Sequence, residues 1–289
     1  MFTLPVDFGR PAARSLGVPV GGAADRLSLV LGNALVGNPP EAAALEISLA
    51  GPTLVADADL GCVVHGAPFA ISTDRQELTA GTSFTLCAGE VLRIGGTASG
   101  MRAYLCVRGG LGVPTVLNSR SALKPLQAGD EIPVEPGRLP RRFLRPPPGK
   151  AEHGRLRVLP GPQADWFRLD DFLAAEYVVT PASNRMGLRL GGPPLPFPPR
   201  EMVSEPVCPG TVQVTRDGRC ILLGVDGQTI GGYPKIAQVV SADLDDVGQL
   251  RPGERVTFAR VTLEEAEALY RQKQALVRRW VTRLRVACE

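Results

Sequence analysis

The sequence predicts an all-β protein with few helices, and three observations carry that expectation. Glycine and proline, 33 and 27 of 289 residues, make up roughly a fifth of the chain, which favours short strands and tight turns over long helices. Short runs rich in β-branched residues and bounded by Gly, Pro or Asp recur at 61–64, 69–73, 83–87, 91–95, 102–107, 156–159, 177–180, 211–215, 220–225, 236–241 and 255–261. The two halves also echo one another. Glu46-Ile-Ser-Leu-Ala-Gly51 resembles Glu205-Pro-Val-Cys-Pro-Gly210, and Gly89-Glu90 resembles Gly253-Glu254, both at an offset of about 160 residues. Either a duplicated β unit or chance matches of glycine and proline produce that echo.

The proline- and arginine-rich stretch 141–150 cannot be a central strand or a helix interior. It divides the chain into a first domain over 1–140, a linker over 141–154 and a second domain over 155–289. Asp25 is placed to cap a helix over 26–36 that Gly37 closes, and Pro162 to open a short helix through Trp166. Thr262-Leu-Glu-Glu265 is a capping box that starts a terminal amphipathic helix. Ala266, Leu269, Tyr270, Leu276, Val277, Trp280 and Leu284 form its apolar stripe; Arg271, Lys273, Arg278, Arg279, Arg283 and Arg285 lie opposite. The basic face is either a solvated surface or one on which another protein of a complex docks.

Composition excludes several classes. Apolar residues at 44% and a formal charge of +3 describe a soluble, globular chain without a nucleic-acid footprint. The N-terminus lacks a signal-peptide pattern, and no run approaches the ~18 apolar residues of a membrane helix. Cysteines 62, 87, 106, 208, 220 and 288 form no close pairs and read as free thiols of a reducing compartment, so the expected location is cytoplasmic. With His65 and His153 alone, neither a His-rich metal site nor a Ser-His-Asp triad is expected. Gly95 to Gly100 has phosphate-loop spacing, but Met101 follows where lysine is needed.

Three polar clusters remain. Asp226 to Lys235 sets a carboxylate, Gln228, Thr229, Tyr233 and an ammonium around Gly231 and Gly232, which leave room for close approach of a ligand. The lysines are Lys124, Lys150, Lys235 and Lys273, while 28 of the 32 basic residues are arginine. Lys235 is thus either a compact, deprotonatable cation kept for chemistry or an ordinary surface lysine. Ser183-Asn184-Arg185-Met186-Gly187 offers a guanidinium fork, for a bound anion or for an internal Asp. Arg10, then Gly21-Gly22 ahead of Asp25, make either an anion-binding helix start or a structural turn.

Taken together, these clusters resemble the family of the 5-oxoprolinase C subunit, also labelled allophanate hydrolase subunit 2 or biotin-dependent carboxyltransferase. The matching segments include Gly9-Arg10-Pro11, Gly17-Val18-Pro19, Gly22-Ala23-x-Asp25-Arg26, Leu159-Pro160-Gly161-Pro162, Ser183-Asn184-Arg185-Met186-Gly187, Pro209-Gly210-Thr211, Gln213 and Gly231-Gly232-Tyr233-Pro234-Lys235. The resemblance implies two related cyclophilin-like β-barrels with a site between them. It also implies work alongside a companion B subunit and, in the oxoprolinase system, an A subunit. That system opens the lactam of 5-oxo-L-proline to L-glutamate at the expense of ATP. Related domains move a carboxyl group from carboxybiotin to urea, and another relative is a regulatory antagonist of a kinase-inhibitor protein.

On that resemblance Lys235, Arg185 and Asp226 are the catalytic candidates, with Asp226 expected to position Lys235 or accept a proton. Asn184, Gln213, Gln228, Thr229, Gly231, Gly232, Tyr233, Gly22, Asp25 and Arg10 are the candidates for binding a small polar amide. Biotin would have to come from elsewhere, since no lysine follows a methionine. The chain departs from the family pattern at Gly227 and Ile230, where Arg and Thr are usual, and in a shortened segment over 119–130.

Overall fold

Strand-forming runs broken by glycine and proline build most of the computed structural model, which describes residues 2–144 and 154–286, side chains of 285 and 286 excepted. Most of the linker, with Lys150 and His153, lies outside the described residues, as do Cys288 and the Arg285 side chain. The chain divides into two units: Met1–Gly9, Asp25–Pro148 and Ala275–Glu289 form one, and Arg10–Ala24 with Gly149–Gln274 the other.

The first unit runs β1 (Phe2–Val6), α1 (Arg26–Leu35), β2 (Ala44–Ser48), β3 (Thr53–Val55), β4 (Leu60–Gly66), β5 (Phe69–Thr73), β6 (Glu77–Leu78), β7 (Phe84–Leu86), β8 (Val91–Thr97) and β9 (Arg102–Val107). These form two open sheets, β1-β2-β9-β4-β7 and β3-β8-β5-β6. Asp25 caps α1 by accepting from the Ser28 backbone N–H at 2.9 Å and the Ser28 hydroxyl at 2.6 Å. Gly32 lets α1 lie directly on β4 and β9: a Cβ there would sit 2.7 Å from Cys106 Sγ and 3.2 Å from His65 Cβ. With a helix on one face, β2 and β9 are buried at every residue.

The second unit runs β10 (Arg155–Pro160), α2 (Leu169–Ala174), β11 (Tyr177–Val179), β12 (Gly187–Gly191), β13 (Glu205–Pro206), β14 (Thr211–Val214), β15 (Cys220–Leu223), β16 (Ile230–Gly231), β17 (Lys235–Val239), α3 (Leu244–Gln249), β18 (Arg255–Arg260) and the first half of α4 (Leu263–Val286), whose residues from Ala275 on are counted with the first unit. Seven strands close into a barrel in the order β10-β17-β14-β15-β12-β11-β18, sealed by the parallel pair β10–β18. Phe172 from α2 stacks on Phe258 of β18 at 4.6 Å between ring centres, within a core that includes Tyr177, Leu156 and Val212. Full burial of such an aromatic contributes up to about 3 kcal/mol. β13 and β16 stand apart as a two-stranded ribbon.

The expectation of an all-β protein with two barrels is therefore corrected. The fold is mixed α/β, with one closed barrel and three open sheets among the described residues. The physical reason lies in the sheet edges: among the described residues no strand ladder joins β1 or β7 of one sheet to β3 or β6 of the other, so the first unit does not close. The terminal helix adds 24 residues, and its capping box forms as read: Thr262 N–H donates to Glu265 at 2.8 Å, and Glu265 N–H donates back at 3.2 Å. Its first turns pack Ala266 and Leu269 against Val240 and Ala242. Among the described residues no helix is long and apolar enough to cross a membrane.

Candidate functional site

Lys235 opens β17, and its backbone is clamped by Gln163. The Lys235 N–H donates to Gln163 Oε1 at 3.1 Å, and the Lys235 carbonyl accepts from the Gln163 N–H at 3.2 Å. The chain before Gln163 can come this close because residue 161 is glycine: a Cβ there would stand 2.2 Å from the Lys235 carbonyl oxygen. The Lys235 ammonium donates to Glu205 Oε2, and Gln163 Nε2 donates to the same oxygen at 3.2 Å. The two ends of this ion pair differ in exposure, the lysine side chain at 6% and the glutamate at 45%. The hydrogen bond from Lys235, then that from Gln163, holds the Glu205 carboxyl below its ordinary range despite some opposing desolvation.

Gln213 reaches the same place through an irregularity. The β14–β17 register shifts between Val212 and Gln213, which sets Gln213 opposite Lys235. Its amide donates to the Tyr233 carbonyl at 3.4 Å. Gly231, paired with Glu205 across the ribbon, has the Gln213 and Gln228 amide nitrogens 2.6 Å and 2.7 Å from where a Cβ would stand. Lys235, Gln213, Gln228, Gly231 and Tyr233 are therefore neighbours.

A second group forms around Arg185. Its guanidinium makes a two-pronged pair with Asp226, Nε to Oδ2 at 2.7 Å and Nη2 to Oδ1 at 3.0 Å. Nη2 also donates to the Gly22 carbonyl at 2.7 Å. The Asp226 N–H closes the loop onto the Arg185 carbonyl at 3.1 Å, an approach that Gly224 permits because a Cβ there would lie 2.3 Å from that oxygen. Gly21 brings in Arg10, whose Nη1 lies 3.4 Å from the position of a Gly21 Cβ, with Asp226 Oδ1 at 3.8 Å. Again the cation is the buried end, Arg185 at 7% and Asp226 at 35%.

Other expected residues take structural roles. Asn184 Oδ1 accepts from the Met186 N–H at 2.9 Å, turning the chain into β12. The Thr229 carbonyl accepts from Val207, and Gly232 is exposed. Asp25 belongs to the first unit, where it caps α1 and its N–H donates to the Tyr104 hydroxyl at 2.8 Å. The shortened segment over 119–130 is also tied in: Ser119 and Ser121 hydroxyls donate to Asp7 at 2.6 Å each. These bonds, with those from the Arg120 and Gly9 N–H groups, hold Asp7 below the ordinary carboxylate range against the opposing effect of its partial burial, which is the largest single influence. Beside it lies an open cavity of about 510 Å³ lined in part by Glu41, Gly110, Asn118, Arg120 and Glu135, none of them an expected site residue.

Glu205 and Gln163 are the members of the site that sequence reasoning missed. Glu205 stood out only as an echo of Glu46, and Gln163 only as the residue after Gly161-Pro162. Closeness along the chain suggested Asp226 as the partner of Lys235; the carboxylate that holds Lys235 is Glu205, and Asp226 holds Arg185.

The family described as "Carboxyltransferase domain, subdomain A and B" matches residues 16–260. The chain is 36% identical over 285 residues to the 5-oxoprolinase C subunit of Escherichia coli (strain K12), covering 92% of this chain and 90% of that one. It is similar to the crystal structure of TTHA0988, with a TM-score of 0.82 and 36% identity over 90% of this chain and 54% of that chain. It is also similar to the K. lactis urea amidolyase, with a TM-score of 0.86 and 27% identity over 96% of this chain and 19% of that one. The chain thus spans about half the length of the first structure and about a fifth of the second.

Proposed function

The chain belongs to the carboxyltransferase-domain family, within the superfamily of 5-oxoprolinase and urea amidolyase, and we propose that it is one component of an ATP-dependent 5-oxoprolinase. One observation carries the reading: the Lys235 ammonium is buried in a fixed place, and among the described residues only Glu205 accepts from its side chain. An ammonium has three N–H donors, so two are left for a ligand oxygen.

An amide resists attack because its carbonyl is a poor electrophile, and opening it moves charge onto oxygen. Lys235 would meet that charge, an electrostatic contribution made by a donor already in position. Arg185, fixed by Asp226 and the Gly22 carbonyl, would hold the carboxylate of 5-oxoproline, with Arg10 beside it. Gln213, Gln228 and Tyr233 would orient the small ring. Asp226, paired two-pronged with Arg185, would hold the guanidinium in position for that contact.

ATP would supply the free energy of ring opening. The glycine spacing that imitates a phosphate loop does not fit a nucleotide, since Gly95 and Gly96 run inside β8. Nucleotide binding would then fall to a companion subunit. The test is to purify the chain with those companions and follow ATP hydrolysis with and without 5-oxoproline, together with glutamate release. Stimulation by 5-oxoproline is expected; its absence overturns the reading.

A second reading, carboxyl transfer from carboxybiotin to urea or a related amide, is favoured by the likeness to urea amidolyase. Activity that requires urea and is blocked by avidin would move the assignment there. Binding of a kinase-inhibitor-like partner without turnover would mark a regulatory role.

A further inference from the structure

Glu205 offers more than a counter-ion. One of its oxygens, Oε2, takes both the Lys235 ammonium and the Gln163 amide. The other, Oε1, accepts no bond among the described residues, and the side chain is nearly half exposed. A hydrogen-bond donor, Lys235 Nζ, and an acceptor, Glu205 Oε1, therefore stand side by side, locked together by the ion pair and braced by Gln163.

That pairing has a chemical complement. In a lactam the ring forces the amide N–H and C=O onto the same side, so the molecule presents an acceptor and a donor along one edge. Urea presents the same edge. An open-chain secondary amide holds its N–H and C=O on opposite sides, because the trans form is favoured by at least about 2.5 kcal/mol, and so cannot offer both at once.

We infer that Glu205 and Lys235 together read the edge of a cis amide, the carbonyl oxygen taking a Lys235 N–H and the amide N–H going to Glu205 Oε1. Glu205 is thereby a specificity-determining residue, and the substrate class is small cyclic amides and ureas with an unsubstituted N–H. The inference rests on the proposed amide chemistry of this site and deepens it. The physical basis is that a buried or half-buried acceptor left facing a group that cannot donate costs binding, which discriminates more sharply than shape.

The discriminating ligand is 3-oxocyclopentane-1-carboxylate, which keeps the five-membered ring, carbonyl oxygen and carboxylate of 5-oxoproline but has CH₂ in place of N–H, so that the carbonyl is a ketone. Binding of both ligands to the full complex is measured by calorimetry without ATP, in wild type, Glu205→Ala and Glu205→Gln. The wild type is expected to bind 5-oxoproline at least about 10-fold more tightly than the carbocycle. Glu205→Ala should bring the two within about threefold, mainly by weakening the lactam.

Glu205→Gln supplies a second, near-isosteric test. Lys235 and Gln163 both donate to one corner of residue 205, so the glutamine oxygen must take that corner and its NH₂ must face the ligand. Donor then meets donor, and the lactam should lose more affinity than the carbocycle. Equal wild-type affinities, or a preference that survives both substitutions, overturn the inference while 5-oxoproline turnover stands. A wild-type complex that neither binds nor turns over 5-oxoproline overturns the proposed function and the inference with it.

Discussion

The Arg102–Glu46 pair of the first unit and the Lys235–Glu205 and Arg185–Asp226 pairs of the second are built on opposite principles. In the first unit, Arg102 and Glu46 pair at 3.3 Å with both side chains sealed, at 4% and 0% exposure. Tyr104 donates to Glu46 at 2.8 Å and accepts from the Asp25 N–H, so the network ends at the cap of α1. Burial first, and then the nearby Glu46 and Asp25 charges, push the Tyr104 phenol far above its ordinary range. In the second unit Arg185 and Lys235 are almost as deeply buried, but their carboxylates reach solvent. A network closed at both ends fixes a fold. A buried cation whose partner is half open retains the capacity to meet a second anion or oxygen.

The comparison breaks most sharply at Glu46. Glu46→Gln leaves Arg102 charged and sealed, and should cost about 3–5 kcal/mol of unfolding free energy by chemical denaturation. Asp226→Asn alters a half-open pair screened by solvent and is expected to cost only about 1 kcal/mol. Equal losses would mean that the two kinds of pair do the same job.

His65 extends the contrast to pH. It packs against α1 at Gly32 with its Nδ1 buried and unpartnered, and burial pushes its pKa down to about 4. Between pH 6.5 and 4 the unfolded chain takes up a proton that the folded one refuses, so stability falls as pH falls through that window. The loss amounts to at most about 3 kcal/mol and should flatten in His65→Gln. A midpoint of denaturation independent of pH over that range would contradict the buried setting of Nδ1.

The second unit is sharpened by Lys235→Ala. Loss of at least about 2 kcal/mol of transition-state stabilisation is expected in kcat/KM for 5-oxoproline, measured in the full complex. Near-normal turnover would remove Lys235 from the chemistry. The smallest of these effects, the Asp226→Asn stability change, is the control that the Arg185–Asp226 pair is not there for folding.

Much of the local structure could be read from the chain. The runs at 69–73 and 102–107 are β5 and β9 to the residue, and the caps at Asp25 and Thr262 form with the bonds their side chains suggest. The echo between the halves has a physical counterpart as well. Glu90 accepts from the N–H of Cys87 and Glu254 from that of Arg251, each in a tight turn, with Gly89 and Gly253 at positive φ, before a strand. The other echo does not carry over: Glu46 is sealed inside a five-stranded sheet, whereas Glu205 stands on a two-residue ribbon.

By itself the sequence determined where several strands lie and where α1 and α4 start, because turns, caps and side-chain alternation depend on residues a few positions apart; β1, β2, α2 and α3 carried no such signal. It also determined which cations were unusual, since Lys235 and Arg185 are conspicuous by type and setting. Only tertiary structure decided that one unit closes into a barrel while the other stays open under α1. It alone brought Gln163 to Lys235 across 72 positions, Glu205 to Lys235 across 30 and Asp226 to Arg185 across 41. Those meetings depend on strand register and on glycines that let distant backbones touch, and no local pattern specifies a partner that far along the chain.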